Sequence, residues 1–300
     1  MAVSADRRMT TTQMMHKRPP MFYLGAVIRY FLLTLVAVIA FAPFILSFLG
    51  TFKTNIELTN FPPTILPQHW SLNNWERVWN FTLPTVQGKV LPRWLLNSVW
   101  LALVNVVVRL FFCSLAAYAF ARMTFPGRNL LFGIVVASLA FPPEVSLIPG
   151  YVFYSRIGWV NTYWPLIIPD AAVPIGIFML RQFFKSIPTE LEDAAFIDGL
   201  NRFGTYWRIV LPLSGPILIT LAILQFQGVW NDYIKPLLFL QRPDLMTLTV
   251  GMAFFRFQFS NDLSAILVGA MFNAIPVLVL FFILNKYFLE SASYTGLAGQ

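Results

Sequence analysis

The stretch TELEDAAFIDGLNRFGTYWRIVLP, residues 189–212, decides how the rest of the sequence is interpreted. It carries four carboxylates and two arginines, and it lies between two long apolar segments. Charged side chains and free helix ends are costly in lipid unless they have a partner. We therefore expect this stretch to lie outside a bilayer, against water or against another protein.

The pattern within this stretch predicts two short helices separated by a break. Thr189 and Glu192 fit the capping box, in which a hydroxyl and a carboxylate satisfy the first free amides of a helix. Gly199 supplies the left-handed residue that commonly ends a helix. Ala194 and Ala195 are small, so a partner surface could approach the first helix closely. On spacing alone, a plain surface connection between two membrane spans remains an alternative.

Composition places the chain among membrane proteins. Of its 300 residues, 57% are hydrophobic and 11% are charged, whereas about a quarter of the residues in soluble domains are charged. The net charge of +8 is spread over the ends of loops without a dense patch, so nucleic acid is not an expected partner. Positive charge beside membrane spans is instead an ordinary result of topology. These features predict an all-α polytopic membrane protein.

Six apolar runs predict six transmembrane helices within a membrane domain of residues 27–290. A basic tail (1–26) precedes the domain, and a small polar tail (291–300) follows it. The predicted spans are about 27–49, 95–121, 130–153, 163–184, 211–229 and 263–287, with the polar connection at 188–212. Both termini then lie on one side, and the distribution of Lys and Arg modestly favours the cytoplasm.

Several polar residues interrupt the predicted spans. Arg109 falls near the middle of the second span, where a charge costs at least ~2.5–3.5 kcal/mol. It could line a pathway or pair between subunits; alternatively it snorkels or bonds to a neighbouring carbonyl. Glu144 and Asp170 lie beside prolines that break a helix or mark its end. Three tryptophans in the long connection 51–93, and one directly after it, suit the lipid–water interface. They are Trp70, Trp75, Trp79 and Trp94.

Motifs for catalysis, cofactors and metals are lacking in the sequence. It contains no phosphate-binding G-x-x-x-x-G-K-[ST] pattern, so ATP hydrolysis is not expected in this chain. His16 and His69 are far apart and do not suggest a metal site. Cys113 is the single cysteine, so no internal disulfide is possible. We predict no cofactor and no enzymatic activity.

The polar stretch also resembles the EAA loop of ABC importer permeases. That family pattern is EAA, three residues, G, nine residues, I-x-LP. Here Asp193 stands where the family usually has Glu, a shorter side chain with the same charge. The matching residues are Asp193, Ala194, Ala195, Gly199, Ile209, Leu211 and Pro212. The segments Phe141–Glu144 (FPPE) and Trp230–Tyr233 (WNDY) further resemble carbohydrate-type permeases of the MalG-like group.

This resemblance implies a permease subunit of a type I ABC importer for a sugar, forming half of the pathway. The EAA loop would be a cytoplasmic coupling helix that contacts a separate ATPase and passes its movement into the membrane. The implied partners are an ABC ATPase dimer, a second homologous permease, an extracytoplasmic sugar-binding protein and the lipid bilayer. The implied location is the inner or plasma membrane, with both termini cytoplasmic. Candidate cavity residues are Glu144, Asn231, Asp232 and Asn273, although polar groups in spans also serve simply to join helices.

Other classes of protein remain as alternatives. A secondary transporter or channel that works without ATP would need ionisable carboxylates deep in its spans, and only Glu144 and Asp170 are placed for that role. A membrane-embedded enzyme would need a catalytic constellation that the sequence does not contain. An amino-acid or peptide importer is the nearest rival within the ABC class, and the FPPE and WNDY segments favour a sugar.

Overall fold

A computed structural model describes residues 20–297, with side chains described over 27–256 and 258–283. In this part of the chain the regular structure is helical, apart from an isolated β-bridge between Thr82 and Lys89. The helices are α1 (Pro20–Gly50), α2 (Asn55–Thr59), α3 (Asn73–Trp79), α4 (Val90–Arg122), α5 (Arg128–Ala137), α6 (Leu147–Arg156), α7 (Trp164–Ile167), α8 (Pro174–Ser186), α9 (Glu190–Ile197), α10 (Arg202–Thr205), α11 (Leu211–Leu213), α12 (Gly215–Trp230), α13 (Ile234–Phe239), α14 (Leu248–Gln258) and α15 (Leu263–Leu297). Two 3₁₀ turns, Ser138–Ala140 and Pro143–Ser146, separate α5 from α6, and a π-helical turn, Tyr206–Val210, joins α10 to α11.

Three described helices are long and apolar enough to cross a membrane by themselves: α1 from Val27, α4, and α15 as far as Ile283. Two further pairs qualify only when each is taken as one bent span. The α5–α6 pair bends by 94°, and α10–α11 meets α12 at 77°. The expected all-helical membrane architecture is therefore confirmed, whereas the count of six spans remains a prediction.

The predicted spans at 130–153 and 163–184 are interrupted near their prolines, as the sequence indicates. Phe141 and Val173, which each precede a proline, have extended backbone angles. The proline ring disfavours the helical region for the preceding residue and removes a helix hydrogen bond. The fourth span consequently divides into α7 and α8, with non-helical residues 168–173 between them.

Several element boundaries also differ from the sequence prediction. Helix α1 begins at Pro20, within the predicted tail, and α15 continues to Leu297, through most of the predicted polar tail. The predicted connections contain short helices of their own, α2 and α3 in the first and α14 in the last. The remainder of the basic tail, residues 1–19, lies outside the described residues.

The core is organised along α4, which contributes to all three buried clusters. Trp94 lies near its start, Leu101 further along and Cys113 in its second half. The expectation that Trp94 lies at the lipid–water interface is wrong, because the ring is fully buried and its Nε1 donates to the Pro243 carbonyl at 2.7 Å. Buried tryptophans usually need such a partner. Helix α4 is therefore the axis against which the other segments are positioned.

Helix α1 lies at the periphery and packs against α15. None of the most apolar window of α1 is buried within the chain. A largely apolar helix that its own chain leaves uncovered is suited to contact with lipid.

Close backbone approach gives a test of this packing. A Cβ added at Gly251 in α14 would lie 2.3 Å from ring atoms of Trp94. We expect Gly251→Ala to destabilise the protein by about 1–3 kcal/mol through overpacking, measured by denaturant unfolding in detergent. The matched control is Gly228→Ala in α12, where a Cβ meets nothing within 4 Å. That change should be neutral or stabilising, and equal losses in both variants would contradict the packing described for α14.

Candidate functional site

The polar stretch folds as helix, break and helix, as predicted. Helix α9 ends at Ile197, and Gly199, two residues later, has a φ of +85° in the left-handed region. Asn201 then caps α10, its side-chain oxygen accepting a hydrogen bond from the Gly204 amide at 2.8 Å. The chain passes through the π-helical turn into α11 and bends into α12. The stretch therefore forms a compact unit that leads directly into α12.

The predicted capping box is wrong. The Thr189 side chain makes no capping hydrogen bond, and its backbone is already helical. Glu192 points into the protein, where its Oε1 lies 2.7 Å from Arg122 Nε at the end of α4. The side chains of Arg122 and Glu192 are only 8% and 6% exposed. A tertiary ion pair has thus taken the carboxylate that local spacing assigned to the helix start.

Burial and charge act in opposite directions on Glu192. Burial raises the pKa of its carboxyl, whereas the adjacent Arg122 guanidinium lowers it, and the net pKa lies above the ordinary value. Arg122 also donates to the Ile187 carbonyl, just before α9. A buried ion pair of this kind depends on both partners, because either one alone would be a buried unpaired charge.

A second set of contacts fixes the other half of the stretch to α4. The Tyr118 hydroxyl donates to the Arg202 carbonyl at 3.2 Å. The hydroxyls of Ser114 and Tyr206 share a buried hydrogen bond of 2.8 Å. Helices α9 and α10 are therefore attached to one helix, α4, by an ion pair and by hydrogen bonds. Neither Arg122 nor Tyr118 was identified from the sequence, since no local pattern links them to residues some seventy to eighty positions later.

The opposite side of this unit is uncovered. Ala195 is buried, whereas Asp193 and Ala194 are exposed, so of the two small residues only Ala194 is open to a partner surface. Of the remaining motif residues, Ile209 and Leu211 are half-buried and Pro212 is exposed. Large apolar side chains on the uncovered side include Leu191, Phe196, Ile197, Phe203 and Trp207. We call these five residues, with Asp193 and Ala194, the outer face of the unit. Ile197 is 87% exposed, the highest exposed fraction among these five apolar side chains.

A separate polar cluster lies within the helix bundle. Arg109 Nη2 lies 2.9 Å from Asp170 Oδ2, and Arg109 Nη1 donates to Gln225 Oε1 at 2.7 Å. Lys235 Nζ lies 2.6 Å from the same Asp170 oxygen. Arg109 Nε also donates to the Asp170 backbone carbonyl at 3.1 Å. Arg109 therefore bonds to a neighbouring carbonyl, which is one of the predicted alternatives, and it also pairs with side chains of its own chain. A place in the pathway remains a prediction.

The four predicted cavity residues occupy different settings. Glu144 is exposed at the bend between α5 and α6, and Asn231 is exposed just after α12. Asp232 is half-buried and accepts a hydrogen bond from the Lys235 amide at 3.3 Å. Asn273 is half-buried in α15, and its backbone carbonyl accepts from Trp230 Nε1 at 3.1 Å. Within the described residues, no hydrogen bond joins one of the four to another, so their sharing of a cavity remains a prediction.

No group of three or more His, Cys, Asp or Glu side chains suited to a metal occurs among the described residues.

Residues 109–291, more than half of the chain, match the family model described as a binding-protein-dependent transport system inner membrane component. The chain belongs to this family. The expected importer-permease recognition and fold are confirmed, and as a family member the chain is a multi-pass membrane protein.

Curated relatives agree with this membership over most of the chain. It is 34% identical to the arabinooligosaccharides transport system permease protein AraQ of Halalkalibacterium halodurans, covering 88% of this chain and 93% of that protein. It is 30% identical to the sulfoquinovosyl glycerol transport system permease protein SmoH of Agrobacterium fabrum, covering 93% and 96%. The diacetylchitobiose uptake system permease protein NgcG of Streptomyces coelicolor is 28% identical, covering 89% and 87%.

The same architecture occurs in a solved structure. A chain of a bacterial ABC transporter involved in the import of the acidic polysaccharide alginate matches with a TM-score of 0.76 and 22% identity. The match covers 89% of this chain and 97% of that chain. At this level of identity the likeness concerns the fold alone.

Proposed function

We propose that this chain is the permease subunit of an ATP-driven importer for a sugar or sugar derivative. It forms half of the translocation pathway and couples to a separate ATPase through residues 188–212. The single observation that carries the proposal is the structure of α9, whose inner side is ion-paired to α4 while its outer face is left uncovered. An element anchored on one side and free on the other can receive a contact and pass a displacement inward.

The proposed mechanism is alternating access. ATP binding closes a pair of ATPase subunits, each of which holds one coupling helix. The Glu192–Arg122 ion pair and the Tyr118–Arg202 hydrogen bond make α9 and α10 move with α4 as one body. Because the π-helical turn leads into α12, the same displacement also reaches that helix. The spans then tilt, and the pathway opens to the binding protein that delivers the substrate.

A sugar as substrate is proposed from the relatives and from sequence segments. The relatives are named for transport of arabinooligosaccharides, diacetylchitobiose and sulfoquinovosyl glycerol. The FPPE and WNDY segments resemble the carbohydrate group. Its proposed partners are a second homologous permease, a cytoplasmic ABC ATPase dimer and an extracytoplasmic sugar-binding protein. A related alginate importer has been solved with a periplasmic protein bound to an alginate pentasaccharide. In this arrangement six spans place both termini and the coupling unit in the cytoplasm.

The ATP-independent alternative receives less support from the polar cluster. That hypothesis depended on Glu144 and Asp170 as carboxylates free to exchange an ion. Asp170 is instead held by two cations, Arg109 and Lys235. A carboxylate engaged in this way is suited to joining helices.

Substitutions at Gly199 test the coupling role. Its φ of +85° strains any β-branched residue, and a Cβ there meets nothing within 4 Å, so the effect is purely conformational. A left-handed conformation costs a non-glycine residue about 1–2 kcal/mol. We expect Gly199→Val to reduce sugar uptake and transport-linked ATP hydrolysis in proteoliposomes while membrane insertion stays normal.

The matched control is Gly199→Asn, because asparagine tolerates the left-handed region far better. This variant should retain most of the uptake. Normal transport by Gly199→Val, or equal losses in both variants, would contradict a coupling role for the break after α9.

A further inference from the structure

The connection between α1 and α3 exposes no Lys, Arg, Asp or Glu side chain over residues 53–72. Lys53 and Glu57 are the only Lys, Arg, Asp or Glu residues in residues 53–72, and both are buried. Lys53 Nζ donates to the carbonyl and the hydroxyl of Thr64. Glu57 Oε1 accepts from the Thr64 hydroxyl and the Gln68 amide, each at 2.9 Å. Both charges thus serve as internal braces, and we call residues 53–72 the braced loop.

The outer surface of the braced loop carries large apolar side chains together with the uncharged polar residues Thr54, Thr59, Asn60 and Gln68, which are also exposed. Phe61 is 94% exposed, and none of its large apolar neighbours on this surface is less than 63% exposed. His69 is the only exposed titratable side chain of the loop. The exposed apolar residues are Ile56, Phe61, Ile65, Leu66, Trp70 and Leu72. Apolar patches of this kind on a braced backbone mark a surface that is covered in the working protein.

This surface is continuous with the uncovered side of α1. Phe48 near the end of α1 contacts Phe52 with ring centroids 5.2 Å apart, and Phe52 contacts Trp70 at 5.3 Å. Asn55 fixes the loop beside the start of α15, donating to the Asn261 carbonyl at 2.7 Å and accepting from the Leu263 amide at 2.9 Å. The braced loop therefore lies at the height where two membrane-crossing helices end and begin.

We propose that the braced loop is a membrane-surface anchor that lies in the headgroup region of the bilayer, with Phe61, Ile65 and Leu66 reaching the acyl boundary. The occupant of this surface is lipid, because the loop continues the lipid-facing side of α1 and exposes no carboxylate or lysine. Interfacial segments bind in proportion to the apolar area that they bury, and aromatic rings concentrate at that depth.

Depth-dependent quenching tests this assignment in the assembled transporter. Single cysteines are introduced by Phe61→Cys, Leu66→Cys and, as a control, Gln87→Cys, which is exposed and polar in the following turn. The background is Cys113→Ala, and each protein is labelled with an environment-sensitive fluorophore. The complex is placed in phosphatidylcholine–phosphatidylglycerol nanodiscs that carry a shallow nitroxide lipid.

Labels at 61 and 66 should show blue-shifted emission, strong quenching by the nitroxide lipid and weak quenching by aqueous iodide. The label at 87 should show the reverse. Equal iodide quenching at all three positions overturns the proposal. Protection of 61 and 66 from both quenchers also overturns it, and assigns the surface to a companion subunit. Protection that appears only after the binding protein is added likewise overturns the proposal, and assigns the surface to that protein.

A charge substitution gives a second, independent readout. With the label at 66, Phe61→Asp should release the loop from the bilayer and abolish most of the lipid quenching. Gln87→Asp should leave that quenching unchanged. Unchanged quenching in Phe61→Asp contradicts a bilayer position for the loop.

Discussion

Replacing Asp170 with asparagine is expected to destabilise the helix bundle by about 3–5 kcal/mol, because the change leaves the buried Arg109 and the half-buried Lys235 without their counter-charge. Asp170 accepts Arg109 and Lys235 on the same oxygen, at 2.9 and 2.6 Å. The Arg109 side chain is only 10% exposed, so water cannot replace the lost partner fully. Unfolding in mixed detergent micelles, followed by circular dichroism, would measure the loss as a shift of the transition midpoint.

An exposed ion pair provides the matched control for Asp170. The Arg242 side chain, which pairs with Asp244 at 2.7 Å, is 62% exposed. Exposed pairs of this kind contribute about 0–1 kcal/mol, so Asp244→Asn should change stability little. The double variant Arg109→Gln with Asp170→Asn should recover part of the loss, since one unpaired charge is removed with its partner. Equal effects of Asp170→Asn and Asp244→Asn would contradict the role of the cluster in joining α4 to the break between α7 and α8.

Replacing Glu192 with alanine is expected to uncouple ATP hydrolysis from transport. Without the carboxylate, Arg122 becomes a buried unpaired charge, and breaking such a pair costs about 3–5 kcal/mol. The lost ion pair weakens the attachment of α9 to α4. Residues 188–212 should therefore become more mobile relative to α4, while their outer face is unchanged. We therefore expect the ATPase to remain bound, with hydrolysis continuing and sugar uptake strongly reduced. Sugar uptake and phosphate release, measured together in proteoliposomes, give the ratio of uptake to ATP hydrolysis.

Glu190 offers the control within the same helix, because it is exposed and two residues away. Glu190→Ala should leave the ratio of uptake to hydrolysis close to that of the unmodified protein. The double variant Arg122→Met with Glu192→Leu should restore much of the stability, as apolar replacements of buried pairs often do. If Glu192→Ala transports normally, movement does not pass through the ion pair.

The sequence predicted the coupling unit well where local rules govern it. Gly199 follows the end of α9 in a left-handed conformation, and prolines interrupt the helices where the sequence places them. Proline and glycine act on their own backbone and on their immediate neighbours, so a linear reading detects them. The helical class and the family followed from the same local information.

The sequence failed where distant residues compete for the same group. Glu192 was assigned to a cap, yet Arg122, seventy positions earlier, takes the carboxylate in a buried site. Trp94 was assigned to the lipid interface, yet Pro243 receives its N–H in the core. Neither partner can be identified without knowing which helices touch.

The most direct test of the central claim is site-specific photo-crosslinking from Ile197 in native membranes. A photoreactive residue placed at this position on the outer face should form an adduct with a single cytoplasmic protein that carries a phosphate-binding ATPase motif, identified by mass. The same residue placed at Gln87 should form no such adduct. Adducts from position 197 with lipid alone, or with copies of this chain alone, would contradict a coupling role for the outer face and would favour a transporter that works without ATP.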